Sequence, residues 1–111
     1  MATIDAQATP VSSGRIELVE QDGVPVLRLR GEVDSLAVAA WQAAAPEAPR
    51  AAVAIDASEA TFLDCRGLRL LLHETAEARR SGRLPELRRP SRVVRRLVEM
   101  TGAAPLFATV L

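Results

Sequence analysis

The stretch VAIDASEATFLDCRGLRLLL, residues 53–72, contains a strand-to-helix junction. Its first half is a short apolar run typical of a fully buried strand, which we place at residues 51–56, and its second half has apolar residues at helical spacing. Asp64 directly precedes the helical part, and an aspartate is a preferred N-cap because its carboxylate accepts hydrogen bonds from the first amides of a helix. The stretch therefore predicts a helix that begins near Cys65.

The stretch LRLRGEVDS, residues 27–35, contains a second junction of the same kind. A strand ends at Gly31, and Glu32 and Asp34 precede the next helix. Junctions that follow parallel strands meet at one end of an open α/β sheet, where ligands and partners bind. We expect Asp34 and Asp64 to lie at that end, either within a binding surface or as two ordinary helix caps.

Strand-like and helix-like patterns alternate along the rest of the chain. Before the junction at Asp64, the patterns predict a hairpin with strands near 14–20 and 24–30 around the turn QDG. They then predict an alanine-rich helix that ends at Pro46 and Pro49, with apolar residues at Leu36, Ala40, Trp41 and Ala44. After residue 64, they predict a helix over 67–82, a brief or edge strand between Pro85 and Pro90, a helix capped by Ser91 and ended by Gly102, and a final strand or irregular segment in PLFATVL.

The order of these elements, β-β-α-β-α-β-α-(β), predicts the fold class. Strands that alternate with helices indicate an α/β fold, and the initial hairpin makes the sheet mixed rather than all parallel. Residues 14–111 are expected to form one domain, and residues 1–13 are expected to form a loose N-terminal tail.

Composition excludes several classes of protein. The chain has 111 residues, which fits one domain, and one cysteine, which excludes an internal disulfide and a cysteine-based zinc cluster. No apolar run approaches the ~18 residues that span a bilayer, and the N-terminus lacks the basic start and apolar core of a signal peptide. A reducing cytoplasm is the expected setting. No pattern predicts a cofactor, a metal site or an enzyme, and His73 is expected to be a surface residue.

The charges are unevenly distributed although the formal net charge is zero. Residues 1–65 carry four arginines and ten acids, whereas residues 66–111 carry ten arginines and four acids. Nucleic-acid binding predicts a basic domain, so we expect no nucleic-acid partner. A dipolar surface favours a protein partner instead. Five arginines near the C-terminus form either a solvated helix face or a docking patch: Arg88, Arg89, Arg92, Arg95 and Arg96.

Cys65 has a distinctive predicted position. The first residue of a helix lies at the positive end of the helix dipole, which favours anions. The position suits a phosphate or a reactive thiol. The alternative is that Cys65 is a small, half-buried apolar residue.

Three stretches together resemble the STAS domain family, the anti-sigma-factor antagonists: VLRLRGEVD, VAIDASEATFLDCRGLRLLL and RRPSRVVRRLVEMTG. The resemblance covers about residues 14–107. It implies a STAS-type fold, with a mixed four- to five-stranded sheet packed with three to four helices. It also implies a protein-binding switch, because such domains capture an anti-sigma factor that is also a serine kinase. Phosphorylation of a serine at the start of the helix ends that binding.

The resemblance also implies the site residues. The family pattern at the helix start is Asp-Ser-Ser/Thr-Gly-Leu, and the matching residues here are Asp64, Cys65, Arg66, Gly67 and Leu68. Cys65 occupies the phosphoacceptor position and lacks the hydroxyl. Asp34 matches an acid of the G-E-x-D motif that lies near the acceptor. The expected partner-binding residues, with residues 58–63 as a loop at the rim, are Asp34, Ser58, Thr61, Asp64, Cys65, Arg66 and Gly67.

The resemblance leaves more than one function open. The leading hypothesis is an anti-sigma-factor antagonist-like protein in a bacterial partner-switching pathway of transcription regulation, which binds an anti-sigma factor or serine-kinase-like protein without phosphorylation at Cys65. The alternative is a STAS accessory subunit of a membrane lipid-transport ABC ATPase, bound on the cytoplasmic side without insertion into the membrane. A third is a degenerate module of a larger signalling assembly. The chain would be a monomer or a weak dimer.

Overall fold

A computed structural model describes residues 14–44 and 52–111. The described chain contains five strands, which are β1 (Arg15–Gln21), β2 (Val24–Val33), β3 (Ala54–Leu63), β4 (Glu86–Arg88) and β5 (Ala108–Val110). It also contains four α-helices, which are α1 (Ser35–Ala44), α2 (Cys65–Glu74), α3 (Ala76–Arg80) and α4 (Arg92–Met100), and a 3-10 helix at Ala104–Leu106. The predicted tail at 1–13, the predicted helix end at Pro46 and Pro49 and the predicted strand start at 51 lie outside the described residues.

The strands form one mixed sheet in the order β1-β2-β3-β4-β5. β1 and β2 are antiparallel, and the other neighbouring pairs are parallel. The hairpin turn consists of Asp22 and Gly23, both at positive φ, which suits the right-handed twist of the strands that it joins. The α/β class and the STAS-type arrangement that the sequence predicted are therefore confirmed.

The core lies on one face of the sheet. Each parallel strand is added on the same side of the previous one, and right-handed crossovers then place the connecting helices on one face. The buried cluster accordingly joins side chains of the strands to side chains of α1, α2 and α4, among them Leu27, Ile55, Val38, Leu71 and Val94. In α4 the arginines point outward and Val94 and Val98 point inward.

The face of α1 differs from the sequence prediction. Ala37 and Val38 are buried, whereas Leu36, Ala40 and Ala44 are exposed and Trp41 packs against the edge of the core. Tertiary packing explains the difference, because α1 contacts β1, β2 and α2, and the side turned towards them carries Ala37 and Val38.

The predicted helix over 67–82 is interrupted at Thr75. The Thr75 side chain is buried, and its hydroxyl donates to the Leu71 carbonyl at 2.7 Å. A threonine hydroxyl in this position competes with the backbone ladder and bends a helix. The Glu74 carbonyl accepts from the Ala52 amide at 3.2 Å. The end of α2 is therefore bound to the segment that precedes β3.

Arg79 connects α3 to the C-terminal segment. Its guanidinium donates to the Leu72 carbonyl and to the Leu106 carbonyl, and it lies 5.6 Å from the centre of the Phe107 ring. Partial burial lowers the pKa of the Arg79 guanidinium. Arg79 therefore packs the last turn of α3 against the C-terminal segment.

Candidate functional site

The two strand-to-helix junctions lie side by side at the carboxyl ends of the neighbouring strands β2 and β3. We call this end of the sheet the edge. β2 and β3 are parallel, Val33 pairs with Leu63, and the Asp64 amide donates to the Val33 carbonyl at 3.3 Å. Asp34 and Asp64 each follow these paired residues directly. The expectation that both acids lie at the same end of the sheet is confirmed.

Both acids cap a helix. The Asp34 Oδ1 accepts from the Ala37 amide at 3.0 Å, and the Asp64 Oδ1 accepts from the Gly67 amide at 2.8 Å. In each helix the capped amide belongs to the third residue, which is the usual geometry of an aspartate N-cap. The interpretation of the pair as helix caps is therefore correct, and each carboxylate has a structural role whatever else it contacts.

Cys65 is the first residue of α2, and its side chain is exposed. The alternative of a half-buried apolar residue is wrong, because the Cys65 side chain is exposed to solvent. The side chain of Arg66 is exposed as well. The edge therefore presents a thiol and a guanidinium at the start of α2, next to the start of α1.

Gly67 lies below this surface rather than in it. It is buried, and a Cβ at its position would lie 2.6 Å from Leu63 Cδ1, 2.9 Å from the Val33 carbonyl oxygen and 3.1 Å from Val33 Cγ1. Only a residue without a side chain lets α2 approach the ends of β2 and β3 this closely. Of the seven predicted contact residues, Gly67 therefore supports the edge from beneath and does not form part of its surface.

Ser58 and Thr61 lie within β3, so the prediction of a loop at 58–63 is wrong. The register of β3 against β2 shifts twice, which leaves Ala57 and Ser58 opposite one β2 residue and Thr61 as an extra residue further on. Such β-bulges redirect side chains. Ser58 and Thr61 are exposed, while Ala60 and Leu63 remain buried. The bulges hide the two-residue period of a strand, which is why the sequence pattern ended the strand too early.

The chain was compared with protein-family models, and it matches one of them along most of its length. The family described as "Mlab, STAS domain" matches residues 16–108. The chain belongs to the STAS family. A search of curated proteins gives no match. Within the described parts of this STAS domain, no helix has the length and apolar character needed to cross a membrane.

A polar cluster around Asp56 on the opposite face of the STAS sheet was missed by sequence reasoning. Asp56 is buried, and its carboxylate accepts from the Ser58 hydroxyl at 2.7 Å, the Ser58 amide at 3.1 Å and the Gln21 amide group at 3.3 Å. Arg89 forms an ion pair with the same carboxylate at 3.6 Å. The only sequence signal was an acid within an apolar strand.

The charge state of Asp56 follows from these contacts. Burial raises the pKa of the Asp56 carboxyl, but the hydrogen bonds from Ser58 and Gln21 and the charge of Arg89 lower it by more, so the pKa lies below its ordinary value. Asp56 is therefore ionised at neutral pH and holds β1, β3 and the segment after β4 together.

A groove between α1 and α2 adjoins the candidate edge. It has a volume of about 360 Å³ and is lined by Val38, Gln42, Arg66, Arg69, Leu70 and His73. Arg66, Arg69 and His73 are spaced by three and four residues, which places them on one side of α2. That spacing was the available sequence signal. His73 is exposed, as predicted, and it lies in the same row of polar side chains on α2 as Arg66 and Arg69.

Proposed function

We propose that this STAS domain is an anti-sigma-factor antagonist-like binding protein, not an enzyme, that acts in the cytoplasm. Its partner would be an anti-sigma factor or a serine-kinase-like protein, and its binding would not be controlled by phosphorylation at residue 65. The observation that carries the proposal is the exposed Cys65 at the start of α2, beside Asp34 and Asp64 and with the thiol where the family has a hydroxyl. The edge keeps the architecture of the switch without its acceptor oxygen.

The chemistry of the edge supports recognition of a protein surface. The beginnings of α1 and α2 meet there, so the positive ends of two helix dipoles lie close to the carboxylates that cap them. Arg66 adds an exposed cation, and Phe62 adds an exposed aromatic ring. Mixed charge beside an exposed aromatic side chain suits a specific protein contact, because aromatic and arginine side chains are enriched at protein interfaces.

The capture surface can be tested with two variants of Asp34, of which only the serine variant keeps the helix cap. Asp34→Ser keeps an N-cap oxygen and removes the charge, whereas Asp34→Arg reverses the charge. We expect Asp34→Arg to weaken the affinity for the partner at least tenfold, which corresponds to about 1.4 kcal/mol, and Asp34→Ser to weaken it less. Affinity is measured by titration calorimetry with the partner recovered from native lysate, and unfolding curves verify that each variant is folded.

The matched control is Asp22→Asn in the β1–β2 turn, away from the edge. This substitution removes one exposed carboxylate, and asparagine tolerates the positive φ of this position. If Asp22→Asn and Asp34→Arg weaken capture equally, the edge is not the contact surface.

Phosphorylation provides a second test. Cys65 has no hydroxyl, and the Ser58 hydroxyl donates to the buried Asp56 carboxylate, where a phosphate dianion would be repelled. We expect intact-mass measurement after incubation with the partner kinase and ATP to find no phosphate on residue 65. The variant Cys65→Ser restores the oxygen, and we expect it to gain one phosphate and then to release the partner. A phosphate mapped to Cys65 would contradict the proposal, and Thr61, which is exposed, is the alternative acceptor to examine.

The cysteine that stands at residue 65 in place of the family's serine also fits one alternative function. A STAS subunit that remains bound to a membrane lipid-transport ABC ATPase needs no phosphorylated state, so the missing hydroxyl fits that role too. Co-purification from native lysate, with and without ATP, distinguishes the two. A kinase-like soluble protein supports the first proposal, and a membrane-associated ATPase supports the second.

A further inference from the structure

The outward face of α4 carries three arginines whose charges oppose the stability of their own helix. Arg92 is the first residue of α4, and Arg95 and Arg96 follow within the next turn. Cations near the positive N-terminal end of a helix are unfavourable, and like charges three and four residues apart repel each other. The first turn contains no acid to offset them.

Among the described residues, these arginines also lack partners. Throughout residues 14–44 and 52–111, no hydrogen bond or ion pair involves the guanidinium of Arg92, Arg95 or Arg96. The other face of α4 is fixed in the core through Val94 and Val98, which are almost completely buried. The arginine face therefore has a fixed orientation, and the helix cannot turn its apolar side outward without disrupting the core.

Apolar side chains border the arginines. Met100 is 72% exposed and Val93 is 47% exposed. Helical spacing places both beside Arg96, which precedes Met100 by four residues and follows Val93 by three. Arg92, Arg95, Arg96, Glu99 and Met100 line a shallow depression of about 720 Å³. The surface combines guanidinium groups with an exposed apolar margin.

We propose that this face of α4 is a docking surface for an acidic amphipathic segment of a partner protein. Guanidinium groups pair with carboxylates through two parallel hydrogen bonds, and the apolar side of such a segment would cover Val93 and Met100. A continuous anionic lipid surface suits the face less well, because Glu99 projects from among the arginines and would be repelled by it. A discrete segment can place its carboxylates over the arginines and leave Glu99 uncovered. The surface is distinct from the edge at Asp34 and Cys65.

The test uses the full chain and a synthetic 18-residue helical peptide with glutamates three and four residues apart on one side and leucines on the other. We expect backbone amide shifts in NMR titration to concentrate in Arg92–Met100, and the affinity to fall by at least about tenfold between 50 mM and 500 mM salt, because exposed ion pairs are screened. We expect Arg96→Glu to weaken binding about tenfold or more and Arg83→Glu to leave it within twofold. Arg83 is an exposed arginine outside α4, so its substitution is the matched change of charge.

Three outcomes would overturn the proposal. The first is that the glutamate peptide binds no better than a peptide in which lysine replaces glutamate. The second is equal weakening by Arg83→Glu and Arg96→Glu. The third is binding of phosphatidylglycerol vesicles but not of the peptide, which would assign the face to a membrane surface. Urea unfolding of Arg96→Glu verifies that lost binding does not come from unfolding, and we expect this variant to be at least as stable as the original because it removes like-charge repulsion.

Discussion

Replacing Gly67 with valine is expected to lower the free energy of unfolding by about 3 kcal/mol, because overpacking at a closed contact costs about 1–3 kcal/mol and a β-branched side chain adds further contacts. The Leu63 methyl group could move aside, but the Val33 carbonyl oxygen belongs to the β2 backbone and cannot move without disturbing the β2–β3 pairing. For Gly67→Ala, the helix-propensity gain of about 1 kcal/mol offsets part of the cost, so we expect a smaller loss.

Urea unfolding followed by circular dichroism measures this effect. Ala40→Val is the matched control, because Ala40 lies on the exposed side of α1 and its substitution places the same β-branched side chain in a helix without a steric clash. We expect the control to cost only about 0.5 kcal/mol, the propensity difference alone. Equal losses in the two variants would mean that α2 does not pack closely on β2 and β3. A loss of partner capture by Gly67→Val would therefore report on folding, not on contact.

Replacing Asp56 with alanine is expected to lower the free energy of unfolding by about 2 kcal/mol at pH 7, because a hydrogen bond to a charged group contributes about 1.5–3 kcal/mol and the variant leaves partly buried donors without their acceptor. The Ser58 hydroxyl and amide and the Gln21 side chain lose their acceptor. Arg89 adds less, because its side chain is 63% exposed and its ion pair is screened by water.

This loss should depend on pH in a defined direction. The folded-state pKa of Asp56 is lowered, so its carboxylate stabilises the fold fully above the unfolded-state pKa of about 3.9, and that stabilisation is lost as the pH falls through the folded-state pKa. We expect the difference in stability between the original protein and Asp56→Asn to be constant from pH 7 to about pH 5 and to shrink below about pH 4.

Urea unfolding at a series of pH values measures that difference, with Asp22→Asn as the control. Asp22 is exposed in the hairpin turn, so its substitution should change stability little at any of these pH values. A difference for Asp56→Asn that grows towards low pH would contradict the assignment of Asp56 as a buried, ionised acceptor.

The sequence by itself determined the local structure of this STAS domain. Asp64 and Asp34 identify the starts of α2 and α1, Ser91 identifies the start of α4, and Asp22 with Gly23 identifies the hairpin turn, because caps and turns depend on residues close together in the chain. The order of these elements gave the α/β class. The same signals placed Asp34 and Asp64 at one edge of the sheet, because carboxyl ends of parallel strands meet there.

Only the tertiary structure decided the features that depend on residues distant in the chain. Gln21 reaches Asp56 across 35 positions, and no local pattern in β3 reports that contact. The bulges at Ser58 and Thr61 appear only when β3 is aligned with β2, and the close approach at Gly67 appears only when α2 packs on both strands. Strand register and helix packing are set by contacts across the whole domain, and these contacts convert two helix caps and a cysteine into a single exposed edge.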